Sequence, residues 1–381
     1  MSKKNLTPEM QAEAPAKKKK KGSGWFGRFV RRFFLLLFTI VFLAAGALIL
    51  LMNLIFNGPS PAMQERLTMS LIEASATKWV PALFIGEETV AEIRASVDQE
   101  LPQEVSTSTS VVIQKGNALT ATSDEWANYP DGIRIERVSG ETYNAHVMIV
   151  RDPSTVYMGT STESYSVNIP GKRITEMMDS TPDAIAAVNA GAFFDDGTAS
   201  SKVGSYPLGL VMSDGRVAWE SGKQPGLEGF AGFTEDDVLV VSKTNLSKAK
   251  AQELGIRDGC CFGPVLIMDG QENPEAYNNN SGYNPRTAIG QRADGAVIFV
   301  CIDGRQASSL GGTYADIIDI MVEYGAVNAC NMDGGSSSVM MYRDEQGRFG
   351  EAGEVTMINN YSLLQSEPRR MPNFWMVRAA E

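Results

Sequence analysis

A run of 24 residues without a charge, Phe33 to Phe56, sets the first constraint on this 381-residue chain. It reads FFLLLFTIVFLAAGALILLMNLIF, with Thr39 and Asn53 as its only polar side chains. A helix of that length reaches ~36 Å at ~1.5 Å per residue, enough to cross a hydrocarbon layer of ~30 Å with some tilt. A cleaved leader has a shorter apolar stretch ending at a small-residue site, and no Ala-x-Ala follows here. A retained transmembrane helix is therefore expected over 33–56. Residues 1–32 carry ten basic and two acidic side chains, among them Lys17 to Lys21 and, beside the run, Arg28, Arg31 and Arg32. Residues 57–381 carry 24 basic and 43 acidic side chains. That asymmetry predicts a cytoplasmic basic tail over 1–32, a single pass through the cell membrane and an extracellular C-terminal domain. Beside an apolar span, the lysine run fits anionic lipid better than nucleic acid.

Beyond the span, Asn57-Gly-Pro-Ser-Pro61 stops the helix. From Ala62 to about Ala95 the apolar spacing (Met63, Leu67, Leu71, Ile72, then Trp79, Val80, Leu83, Phe84) predicts a helical stalk. Polar residues 98–130 read as a linker, with one short strand at Val111 to Ile113. The stalk and linker together occupy 57–131. From Gly132 the texture changes to short β-branched runs between Gly and Asp turns: Ala145–Val150, Ile185–Val188, Leu208–Met212, Val238–Val241, Val265–Met268 and Ala296–Ile302. Two of these, at 208–215 and 263–270, both run into Asp-Gly, as recurrent hairpin chemistry does. The clearest helix is Thr313 to Tyr324, with Thr313 as N-cap, Asp316 at the third helical position, Ile317, Ile318, Met321 and Val322 as its apolar stripe and Gly325 as its stop. With the strand before it and Ala326–Asn331 after it, it makes a strand-helix-strand unit. The expected fold is α+β: a strand-rich domain over 132–381 containing that unit, preceded by one transmembrane helix and a helical stalk.

The chain has one histidine, His146, which excludes multi-histidine metal sites and leaves a Ser-His-Asp triad only one possible base. His146 lies in an apolar strand pattern and reads as structural. Attention passes to four clusters: Asn189-Ala-Gly-Ala-Phe-Phe194; Asn284-Pro-Arg-Thr-Ala-Ile-Gly290; Asp303-Gly-Arg305 followed by Ser308-Ser-Leu-Gly-Gly-Thr313; and Asn331-Met-Asp-Gly-Gly-Ser-Ser-Ser338. Asp303 and Asp333 each stand at the end of a predicted strand before glycine. A strand-helix-strand connection runs its strands in one direction, so both carboxylates should emerge at the same edge. Arg286 and Arg305 have the planar fork that grips phosphate or carboxylate. Two carboxylates with two guanidiniums suit hydrolysis of an anionic substrate without histidine. Against this, Asp-Gly is ordinary turn chemistry, and the chain has seven such pairs besides Asp333-Gly334. Only the clustering of Gly, Asp, Ser and Arg at successive strand ends favours a site. No carboxylate group has calcium-loop spacing, so neither a metal nor another cofactor is invoked, although Asp333 stays open as a metal ligand. Cys260 and Cys261 are adjacent and not expected to bridge each other. Cys301 and Cys330 are expected as buried thiols on neighbouring strands, a disulfide between them staying open.

The four clusters, in that order, resemble the phosphodiester glycosidase family over roughly residues 140–381. Where the family more often has three glycines before the serines, this chain has Ser336. The resemblance implies a hydrolase that cleaves the C1–O bond of a glycosyl-1-phosphodiester, in the cell envelope or an extracellular polysaccharide. It implies Asp303 and Asp333 as the catalytic carboxylates, with acid and nucleophile unassigned. It implies Arg286 and Arg305 on the phosphate side, Asn189, Thr313, Asn331 and Ser336 contacting sugar hydroxyls or orienting the acids, and Gly334 and Gly335 among the substrate-binding residues. The partners expected are a glycan or glycosyl-phosphate substrate and the membrane, with no nucleic acid. Two other readings stay open: a phosphoglycan-binding ectodomain without turnover, and an envelope-assembly protein.

Overall fold

The computed structural model describes residues 25–72, 77–97, 105–106, 126–166, 168–194, 203–221, 228–279, 281–361 and 367–379. The strand expected at Val111 to Ile113 lies outside them. The chain divides into two compact units, 1–54 and 55–381. The described part of the first is residues 25–54 of helix α1 (Trp25–Phe56), whose side chains from Gly27 on are almost all exposed. Among the described residues it is the one helix long and apolar enough to cross a membrane.

The second unit takes the last two residues of α1, Ile55 and Phe56, and continues with α2 (Pro61–Ile72) and α3 (Val80–Val97). The continuous stalk pattern is thus divided between two helices. The second is kinked at Gly86, whose φ of 79° only glycine adopts easily. Phe84 of α3 stacks on Phe56, the rings 5.1 Å apart.

The strands follow: β1 (Ile133–Ser139), β2 (Asn144–Val150), β3 (Val156–Thr160), β4 (Ala184–Asn189), β5 (Leu210–Ser213), β6 (Arg216–Glu220), β7 (Phe230–Thr234), β8 (Leu239–Ser242), β9 (Ile256–Cys260), β10 (Val265–Met268), β11 (Gln271–Glu272), β12 (Arg286–Arg292), β13 (Val297–Ile302), β14 (Ala326–Met332), β15 (Met340–Arg343), β16 (Val355–Met357) and β17 (Asn373–Arg378). Among them lie helices α4 (Ile174–Ser180), α5 (Lys248–Glu253), α6 (Pro274–Tyr277) and α7 (Tyr314–Glu323). They build three sheets, ordered β1-β2-β13-β12-β14-β10-β11, β16-β15-β4-β17-β3 and β6-β5-β9-β7-β8.

Alternation along the strands explains the packing. In β13, Val297, Phe299 and Cys301 face a core shared by all three sheets, where they join Val188, Met340 and Trp375 of the second sheet and Val211, Phe233 and Val241 of the third. The intervening Ile298, Val300 and Ile302 face Ile317, Ile318 and Met321 of α7. The second sheet turns its other face to Ile174, Met177 and Met178 of α4, and the third turns Leu210, Met212 and Phe230 toward Ala251 of α5. Each sheet thus has one face on the common core and a helix on the other, so both faces of the central strands are apolar.

Helix α7 forms as its sequence requires: the Thr313 hydroxyl accepts the Asp316 N–H, Asp316 accepts the Thr313 N–H at 2.7 Å, and Gly325 takes φ 79° beyond the end. The two similar hairpins are real. Asp214-Gly215 and Asp269-Gly270 both have positive φ at each residue, as a type I′ turn demands. The strand-helix-strand unit needs one correction. β13 and β14 run the same way but are not neighbours, because β12 lies antiparallel between them. Thr287 pairs with Cys301 on one side while Ile289 pairs with Cys330 on the other. An intervening strand therefore separates the two cysteines, and all four cysteines are buried free thiols.

Candidate functional site

The order β13-β12-β14 brings three of the four sequence clusters to one edge. β12 begins at Arg286 where β13 ends at Ile302 and β14 at Met332, since Arg286 pairs with Ile302 and Thr287 with Met332. Pro285 then passes between the two Asp-Gly turns. A Cβ on Gly304 would fall 2.7 Å from Pro285 Cδ, and one on Gly334 would fall 2.8 Å from the Pro285 carbonyl. Glycine after each aspartate is a packing requirement here. The Gly335 N–H donates to the Pro285 carbonyl at 2.8 Å and ties the second turn to the start of β12.

The fourth cluster arrives from the second sheet. Asn189 ends β4 fully buried. Its Nδ2 donates to the Asp333 carbonyl at 2.6 Å, and its Oδ1 accepts from Thr287 Oγ1 at 2.8 Å and from the Val339 N–H at 3.0 Å. The Asp333 N–H donates to the Ala190 carbonyl at 3.0 Å. Asn189 thus clamps two sheets together behind the Asp333 turn.

The two aspartates differ in setting. Asp303 is 1% exposed. Its Oδ1 accepts the Asn360 backbone N–H at 2.9 Å and its Oδ2 the Asn360 side-chain amide at 2.8 Å. Burial raises its pKa above the ordinary carboxyl value, against the lowering by those two hydrogen bonds and by Arg137. His146 Nδ1 stands 3.9 Å from Asp303 Oδ1 and has no hydrogen-bond partner. Its pKa is lowered to about 4, first by burial and then by Arg137, so the imidazole next to Asp303 is neutral at pH 7.

Asp333 is half-buried, as are Gly334, Gly335, Ser336 and Arg305. The Arg305 guanidinium lies over this turn, its Nη1 3.3 Å from where a Gly335 Cβ would stand, and its Nη2 donates to Asn284 Oδ1 at 3.3 Å. Tyr361 Oη donates to the Ser336 carbonyl at 2.5 Å, and Arg369 Nη1 donates to Ser336 Oγ at 3.3 Å. Burial raises the Tyr361 phenol above its ordinary pKa. The hydrogen bond from Arg369 and the charges of Arg369 and Arg305 lower it, and Asp333 raises it again. The charges of Asp333, Arg369 and Arg305 thus all act on one phenol.

The other expected residues fall behind this surface. Arg286 is 3% exposed. It donates to the carbonyls of Gly312 at 3.2 Å, Ser281 at 3.0 Å and Gly282 at 3.2 Å, with its guanidinium 4.3 Å from the Tyr314 ring centroid. Thr313 is the α7 cap. Asn331 Nδ2 donates to the Gly263 carbonyl at 2.8 Å, while its Oδ1 is buried without a partner. Among the described residues, no group of three or more His, Cys, Asp or Glu side chains is arranged to hold a metal. Asn360, Tyr361 and Arg369 were not among the sequence candidates. They lie in a stretch with no Gly-Asp signature, and only the Asn359-Asn360 and Arg369-Arg370 doublets set it apart.

Comparison with known proteins adds to this geometry. A family model described as phosphodiester glycosidase matches residues 182–378, which include both aspartates and all four clusters. The SPbeta prophage-derived protein YomE of Bacillus subtilis is 25% identical over 192 residues, 49% of this chain and 27% of YomE. The chain thus spans about a quarter of that relative's length. The catalytic domain of zebrafish N-acetylglucosamine-1-phosphodiester alpha-N-acetylglucosaminidase, in a structure auto-inhibited by its pro-peptide, shares the fold with a TM-score of 0.50. It is 19% identical, and the likeness covers 67% of this chain and 85% of that one.

Proposed function

Because this chain belongs to the phosphodiester glycosidase family, we propose that it hydrolyses a glycosyl-1-phosphodiester with Asp333 at the reacting carbon and Arg305 on the phosphate. The observation that carries this reading is the Asp333–Ser336 turn at one strand end, where Asp333 is half-buried, Arg305 overlies the turn at Gly335 and Arg369 contacts it at Ser336. Water adds to C1 as the C1–O bond breaks. The bonding pair leaves with the phosphate, and a water proton ends on the phosphomonoester product. Arg305 stabilises charge on the leaving group and fixes its orientation. Asp333 supplies the carboxylate beside the carbon that becomes positive. Asp303 serves the same site from behind by holding Asn360, next to Tyr361. Asn189 holds the backbone of Asp333, and Arg286 holds the loop that leads into β12.

The same proposal places α1 in the cell membrane, with the basic tail inside and the domain outside, acting on an envelope or extracellular glycan. The test uses the full chain in detergent, N-acetylglucosamine-1-phosphodiester as first substrate, a panel of other sugar phosphodiesters and water labelled with ¹⁸O. Release of sugar carrying the label, lost in Asp333→Asn, is the expected result. Label in the phosphate instead means P–O cleavage and overturns the reading. Binding of the panel without release by wild type leaves a phosphoglycan-binding domain.

A further inference from the structure

Helix α2 is fastened to the loop that leads into the site. Ser70 Oγ accepts the Tyr283 N–H at 2.8 Å and donates to the Tyr283 carbonyl at 3.1 Å. One hydroxyl thus satisfies both backbone groups of one residue, as a neighbouring strand would. Arg66 Nη1 donates to Tyr283 Oη at 3.1 Å, with its guanidinium 5.8 Å from the ring centroid. Gly282 has φ 75°, and a Cβ there would fall 2.6 Å from the Arg66 carbonyl and 2.7 Å from the Ser70 nitrogen. The loop therefore approaches the helix as closely as a backbone can.

The same loop continues to the substrate side. The Ser281 and Gly282 carbonyls accept Arg286. Asn284 exchanges two backbone hydrogen bonds with Gly312, at 3.2 and 2.9 Å. Its side-chain oxygen accepts Arg305. An unbroken series of contacts thus runs from Ser70 through Tyr283 and Asn284 to the guanidinium over the Asp333 turn.

We infer that α2 belongs to the substrate site, with Ser70 a positioning residue that sets Arg305 through Tyr283 and Asn284. The inference rests on the phosphate role proposed for Arg305, although the relay of contacts does not. α2 begins at Pro61, soon after the apolar helix ends at Phe56. The segment leaving the apolar helix is then part of the binding site rather than a spacer.

The experiment uses the full chain in detergent and two readouts. In Ser70→Ala, amide exchange is expected to quicken at Tyr283 and also at Asn284 and Gly312. KM for the phosphodiester is expected to rise about ten-fold while kcat stays within about two-fold, the pattern of lost binding rather than lost chemistry. Melting temperature should fall by no more than a few degrees, the cost of two unpaired backbone groups at a partly exposed position, and Ser70→Thr, which keeps the hydroxyl, should restore exchange, KM and melting temperature. Gly282→Ala separates the same surfaces through different atoms and should raise KM likewise. Faster exchange confined to Tyr283 with KM unchanged overturns the inference. So does a KM rise that threonine does not restore. If wild type releases no sugar, the proposed reaction fails, and exchange reaching Gly312 still decides the relay.

Discussion

Asp303-Gly304 and Asp333-Gly334 are the same dipeptide at the same edge of one sheet, each pressed against Pro285, and the structure treats them in opposite ways. Asp303 has both oxygens held by Asn360, a neutral imidazole beside it and almost no exposure. Asp333 is half-buried in a turn that Arg305 overlies at Gly335 and Arg369 contacts at Ser336. The difference does not come from the dipeptides. It comes from residues far along the chain: Asn360 closes over the first turn, and Asn189 clamps the second through its backbone, leaving residues 333–336 half-buried. A strand-end aspartate acquires its chemistry from what closes over it.

The sharpest way to break the comparison is to neutralise each carboxylate. Asp333→Asn should lower turnover by about 10²–10⁴-fold with an unchanged melting temperature, as loss of a reacting carboxylate does. Asp303→Ala strands the two Asn360 donors and should cost about 2–3 kcal/mol of stability, read by urea titration, with activity falling as the 359–361 segment loosens. A dead but fully stable Asp303→Ala, beside an active Asp333→Asn, would exchange the two roles.

The arginines repeat the contrast at smaller amplitude. Arg305→Ala should raise KM by roughly 10–100-fold at constant melting temperature, the range of one or two charge-assisted hydrogen bonds. Arg286 has its guanidinium on three carbonyls and against Tyr314, so Arg286→Ala should instead lower stability by about 2–4 kcal/mol. Kinetics and melting measured together on both variants separate the two. Equal KM effects without destabilisation would put both guanidiniums on the phosphate.

How much of this was legible beforehand follows from what sequence spacing can encode. Helix α7, its Thr313 cap and its Gly325 stop are local, and they stand where the pattern puts them. The common direction of β13 and β14 was legible too, because a strand-helix-strand connection dictates it. That β12 lies between them was not, since antiparallel insertion of an earlier strand leaves no local mark. Asn189 and Thr313 illustrate the same limit inside the site. Their residue types suit sugar contacts or the orienting of an acid; the Asn189 amide holds the Asp333 backbone while clamping two sheets, and the Thr313 hydroxyl caps a helix. Asn360, Tyr361 and Arg369 reach the site only through tertiary folding, so no spacing rule announces them.

The single histidine tests the setting in which Asp303 is held. In the unfolded chain His146 takes up a proton near pH 6.5, the ordinary imidazole value. In the folded chain it does so only near pH 4. Between those values the unfolded chain binds more protons, so stability is fully present above about pH 6.5 and is lost as pH falls toward 4. Asp303 acts in the opposite sense. Its raised pKa means its contribution is greatest below the unfolded carboxyl value of about 3.9 and declines as pH rises through the folded value. The two act oppositely, so the histidine is isolated by difference: between pH 4.5 and 7 the urea midpoint should gain less with rising pH in His146→Gln than in wild type. Because the chain has one histidine, one imidazole resonance reports the same event directly, and it should stay still between pH 5.5 and 7.5. A midpoint near 6.5 would mean that the imidazole charges beside Asp303. Asp303 would then have a cationic neighbour as Asp333 does, and the contrast between the two turns would rest on Asn360 alone.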